Sequence, residues 1–142
     1  MNGGNELTIF AVVRLKAVGS YPELLTYFDA LNELRWATST GQVQLVYNVN
    51  AITGTVNEVN VWVKQTAMLR NDTTMQAWVQ GASLGTGTCA TPTTGQTLSV
   101  GSRAGLSLFA NMDLAALLIY NVRKNATEQA KIEGYLAAKY GV

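Results

Sequence analysis

The sequence predicts an all-β sandwich with one helix packed on it at the C-terminal end. Three observations predict it. Short β-branched and aromatic runs with period-two alternation recur between residues 7 and 121, with Gly, Pro, Asn and Asp between them. Residues 125–142 switch to helical spacing. The 142-residue length suits one domain, which at this size buries roughly two-thirds of its unfolded surface without a staple. None is offered, because Cys89 is the single cysteine.

The first strand is expected in "LTIFAVVRLK", residues 7–16, whose centre is apolar on both faces and so suits a central position in a sheet. After the turn signal "SYPELL", "LLTYFD" (24–29) and "LRWAT" (34–38) read as two short strands. "QVQLVYNVN" (42–50) alternates as one strand, with Val43, Leu45, Tyr47 and Val49 on one face and Gln44, Asn48 and Asn50 opposite. "NEVNVWVKQ" (57–65) places Val59, Val61 and Val63 inward, and "TMQAWVQG" (74–81) does the same with Met75, Ala77 and Val79. Residues 81–95, "GASLGTGTCATPTTG", read as loop or short ribbon, with Cys89 a thiol without a role. "TLSVGS" (97–102) and "LSLFAN" (106–111) are short strands, and "DLAALLIYN" (113–121) is a long apolar one.

The tail starts at Asn125, with Glu128 three residues later completing a capping box. Ile132, Tyr135, Leu136 and Tyr140 make one apolar stripe, expected to be buried on the sandwich. Lys139 suits the negative end of the helix dipole, and Gly141 supplies the stop.

Composition excludes several functions. With 13% charged residues and a net charge of +1, no basic surface for nucleic acid is expected. No apolar run is long enough for a membrane-spanning helix, and "MNGGNEL" lacks a signal-peptide core. With no histidine, a Cys/His metal set and His-dependent nucleophilic schemes are absent, and no cofactor is expected.

"MDLAALLIYN", then "VRKNATEQ", then "IEGYLAAKYG" resemble, nearly position by position, the ending of laminin G-like modules of the concanavalin A-like lectin/glucanase superfamily. "LTIFAVVR", "MQAWVQG" and "TLSVGS" resemble further strands of that family, so the resemblance covers most of the chain. It implies a jelly-roll β-sandwich over residues 1–142 with the helix as its cap. Such modules usually carry more strands before the first one here. The expectation is therefore a piece of a longer chain, or a sheet edge covered by self-association or a larger assembly.

Related glycoside hydrolases hold two carboxylates across one bond. The nine acids here are not spaced to do so, and Ala116 stands where the family has a glutamate. No catalytic residue is assigned. The turn residues Asn71 with Asp72, and Asp29 with Asn32, provide too few oxygens for calcium and are read as turn formers. Asn71 and Asn125 also head glycosylation sequons, relevant only in a eukaryotic secretory host.

Two tryptophans fall on polar strand faces. Trp62 shares its face with Glu58, Asn60 and Lys64, and Trp78 shares its face with Gln76 and Gln80. Trp62, Trp78, Lys64, Gln76 and Gln80 are the candidate ligand-binding set, on what the resemblance makes the concave face. Indoles stack on sugar C–H faces while amides and charges take the hydroxyls. The alternative is that these rings lie under a loop, missing strands or a neighbouring subunit. Two functions follow: a non-catalytic module binding glycan or surface polysaccharide, or a structural part of a particle or fibre, such as a phage capsid decoration or tail-associated protein. Both imply an extracellular or particle-surface setting.

Overall fold

The computed structural model describes residues 6–17, 23–28, 32–36, 41–47, 50–54, 58–70, 73–89, 97–102 and 110–142. Among them are ten strands and one helix, in order β1 (Leu7–Leu15), β2 (Glu23–Phe28), β3 (Asn32–Trp36), β4 (Val43–Tyr47), β5 (Asn50–Thr53), β6 (Trp62–Leu69), β7 (Thr74–Val79), β8 (Ala82–Thr88), β9 (Thr97–Val100), β10 (Met112–Tyr120) and α1 (Ala126–Tyr140). They form two antiparallel five-stranded sheets, ordered β10-β1-β6-β7-β8 and β5-β4-β3-β2-β9. The protein is an all-β sandwich with a C-terminal helix, and β1 takes an interior position, between β10 and β6, as its two apolar faces demand.

Between the sheets lies a largely aliphatic layer. Ile9, Ala11 and Val13 of β1 meet Val63, Ala67 and Leu69 of β6 and Met75 and Ala77 of β7, with Leu24, Val43, Leu45 and Ile52 from the other sheet. On the outer face of the first sheet, Phe10, Val12 and Leu136 form a second cluster under α1. The Phe10 and Tyr120 rings meet edge to face at 6.0 Å. The chain thus has three layers, two sheets and a helix.

Several elements depart from the sequence reading. The run 42–50 is not one strand: β4 ends at Tyr47, and Asn50, paired with Tyr47, opens the returning strand β5. Of the valines expected inward, Val59 is half-buried against the core and Val63 is buried, but Val61 is 53% exposed. Asn60 takes a left-handed φ of 63°, which breaks the alternation, so the strand begins only at Trp62.

Within 81–95, read as loop or ribbon, residues 82–88 form the regular edge strand β8. Its glycines explain the misleading composition. A Cβ on Gly87 would lie 2.8 Å from Met75 Cε and 3.2 Å from Ile52 Cγ1, so glycine eases the close approach of β8 to β5 of the opposite sheet. Gly85, at φ 121°, accompanies a bulge: Ala77 pairs with Gly85 but Trp78 with Ser83, leaving Leu84 as the extra residue, packed against the core. Cys89 is buried in the inter-sheet core. Most of the expected strand 106–111, the Asn71–Asp72 pair and Asp29 lie outside the described residues.

Candidate functional site

The turn joining β7 to β8 is two residues long. Gln80 (φ 52°) and Gly81 (φ 79°) both adopt the left-handed region, as a tight type I′ hairpin requires. It brings the end of β7 beside the first half of α1. Asn125 caps the helix: its side chain accepts from Glu128 N–H at 3.0 Å, and Glu128 accepts from Asn125 N–H at 3.0 Å. That backbone N–H, with Lys124 alongside, holds the Glu128 carboxyl below the usual carboxylate range. At the other end Gly141, at φ 70°, donates to Ala137 O.

The helix does not bury the stripe read from its sequence. Leu136 is buried, and Ile132 and Tyr140 are half-buried against the Phe10 cluster, but Tyr135 is 56% exposed. It projects about 100° round the helix from Leu136, away from the sheet. The buried face carries Glu133 instead. Glu133 accepts from Thr66 Oγ1 at 2.8 Å and from Gln129 Nε2 at 2.8 Å, and Lys64 Nζ donates to its backbone carbonyl at 3.3 Å. The Lys64 ammonium lies 4.0 Å from the Glu133 carboxylate.

This docking decides what each candidate residue does. Lys64 is buried and spent on the helix. Gln80 accepts from Lys64 N–H at 3.2 Å and donates to Trp62 O at 3.3 Å, so its amide secures the start of β6. Gln76 donates to Thr86 Oγ1 across the exposed hairpin. Trp62 is half-buried in the cluster under the helix, and the Arg14 guanidinium lies 5.0 Å from its ring centroid. Arg14 is itself held by Asp113, whose carboxyl is kept low by hydrogen bonds from Lys16 and Arg14.

Trp78 stands opposite Thr66, on the face where α1 docks. It lines a cleft of about 330 Å³ with Gly81, Ala126, Gln129, Ala130 and Glu133. The two tryptophans share a face yet form no common platform among the described residues, because Glu133 lands on Lys64 and Thr66, which follow Trp62 along β6. Gln129 and Glu133 were not legible as site residues. They read as the polar side of an amphipathic helix, and only docking turns that side toward Trp78. The cleft offers an aromatic surface beside an amide and a carboxylate that already bond each other.

No family model matches the chain, and no curated protein matches it. Solved structures do. A sialidase from Trypanosoma rangeli in complex with sialic acid superposes with a TM-score of 0.67 at 18% identity, over 95% of this chain and 23% of the sialidase. A carbohydrate-binding protein from Bacteroides ovatus, so described provisionally, gives 0.71 at 11% identity, over 87% and 39%. A botulinum neurotoxin type C structure, from work on its dependence on two ganglioside molecules for cell entry, gives 0.64 at 14% identity, over 92% and 36%. At these identities the likeness is one of fold. The chain spans less than half the length of each, and corresponds to a β-sandwich unit within them.

Proposed function

We propose that this chain is a non-catalytic glycan-binding module of the concanavalin A-like, laminin G-like kind, working at an extracellular or particle surface. The observation that carries the reading is Trp78 lining a cleft beside Gln129 and Glu133. A large rigid ring with a few convergent polar groups is the usual make-up of a small-ligand site. Among its described lining residues the cleft holds one carboxylate and no cation, which favours a neutral sugar over an acidic one. Most glycoside hydrolases use two flanking carboxylates, whereas the described lining residues of this cleft supply one. The fold neighbours named for carbohydrate or ganglioside contact support the glycan reading coarsely.

The test is a glycan array with wild type, Trp78→Ala and Trp62→Ala, each checked for fold by circular dichroism. Trp78→Ala should weaken sugar binding by about 30-fold or more, the loss of an anchor of ~2 kcal/mol. Trp62→Ala should retain it if folded. Neutral-glycan binding that survives Trp78→Ala unchanged defeats the cleft assignment, and reducing ends released from a bound polysaccharide defeat the non-catalytic one.

A further inference from the structure

A second cavity, of about 350 Å³, lies by the same β7–β8 hairpin. Val79, Gln80, Ala82, Ser83 and Leu84 of the hairpin line it together with Gly54 and Glu58. Glu58 is 7% exposed, and its Oε2 has no hydrogen-bond partner among the described residues. A buried carboxyl is ordinarily satisfied by donors or a countercharge, and one left without them is costly. Here the walls are mostly aliphatic, and Glu58 is the only titratable group among the described lining residues.

We infer that this cavity is a binding site for a primary alkylammonium group, its ammonium on the Glu58 carboxylate and its alkyl stem along Val79, Ala82 and Leu84. The chemistry favours this class over a bare metal cation. Calcium takes six to eight oxygens, more than the Glu58 carboxylate, the Ser83 hydroxyl and the Gln80 amide together supply. An ammonium is a compact charge on an apolar stem, which suits a single carboxylate beside aliphatic walls. Burial supports the assignment, since it pushes the Glu58 carboxyl up to about 7. Near neutral pH the group is therefore divided between its two forms, and a cation draws it to the ionised one. The inference does not rest on the Trp78 cleft.

The probes are n-butylammonium chloride, a blocked lysine peptide and, as neutral isostere, n-butanol. Methyl NMR follows Val79, Ala82 and Leu84, and the Glu58 carboxyl carbon is titrated in the wild type. Butylammonium should give saturable methyl shifts that butanol does not reproduce. Its affinity should fall about tenfold per pH unit below the Glu58 pKa, and its presence should move the Glu58 titration to lower pH. Glu58→Gln should abolish the shifts, whereas Trp78→Ala should leave them. Binding of the lysine peptide as well would identify a protein side chain as the source; binding of the free amine alone would identify a small molecule. Equal shifts from butanol, or a Glu58 titration unmoved by saturating amine, overturn the site even if Glu58→Gln fails to fold.

Discussion

The two faces of the β10-β1-β6-β7-β8 sheet handle polar groups in opposite ways. On the outer face every buried polar side chain named has a partner: Thr8 donates to Val122 O at 2.9 Å, Thr66 and Gln129 converge on Glu133, and Lys64 holds the helix backbone. The inner layer is aliphatic, yet Gln65, 1% exposed, has neither Nε2 nor Oε1 bonded among the described residues, and Glu58 at its margin is likewise unpaired at Oε2. Geometry accounts for the difference. Sheet facing sheet presents only side chains, because the backbone groups are spent in the ladders. A helix laid on a sheet adds polar side chains of its own and a residue such as Glu133 that reaches across. Polar groups are therefore structural on the outer face and cost stability on the inner one.

Removing the outer cover altogether should have the largest effect. Deleting residues 125–142 strips Phe10 and Val12, both fully buried, of Leu136 and the helix above them. The loss is expected to rival a domain's whole stability, about 5–15 kcal/mol, giving an unfolded or aggregated chain. A soluble truncation with an unchanged Tm would show the outer layer to be dispensable. Within that layer, Leu136→Ala should cost about 2–5 kcal/mol in denaturant melts, since Leu136 is 1% exposed.

The margin of the inner layer is read by pH. The unfolded Glu58 ionises near 4.5, whereas in the fold burial holds its pKa at about 7. Below the lower value both states are protonated and the group contributes no difference. As pH rises through it the unfolded chain gains, so stability should decline until about pH 7 and then level. The decline should be about 1–3 kcal/mol once solvent screening is allowed for, and Glu58→Gln should flatten it. Asp113 and Glu128, both lowered, act in the other direction and at more acid pH: their contribution is lost as pH falls through their folded values.

Gln65→Leu tests the inner face itself. It removes an amide with no partner among the described residues, and should stabilise by about 1–3 kcal/mol. A destabilising result would mean that the amide is satisfied. Tyr135→Ala should change least, within about 0.5 kcal/mol, because the ring is mostly in solvent, with Lys139 beside it. A cost like that of Leu136→Ala would restore the stripe read from the sequence.

The sequence by itself determined the class of fold, the interior place of β1 and the capped helix. Each rests on local physics: β-branched alternation, apolarity on both faces of "LTIFAVV", and a capping box closed by residues three apart. Only the tertiary structure decided that β8 is a strand, since a glycine-rich run looks like loop until Met75 and Ile52 are seen where a Cβ would stand. It alone decided the fates of the two tryptophans. Period two places Trp62 and Trp78 on one face but is silent on what lands there. Glu133 of the helix docks on Lys64 and Thr66, leaving Trp62 in a packed cluster and Trp78 at a cleft. Alternation fixes the side of a sheet a residue takes; what covers that side depends on contacts between segments far apart in the chain, which no local pattern encodes.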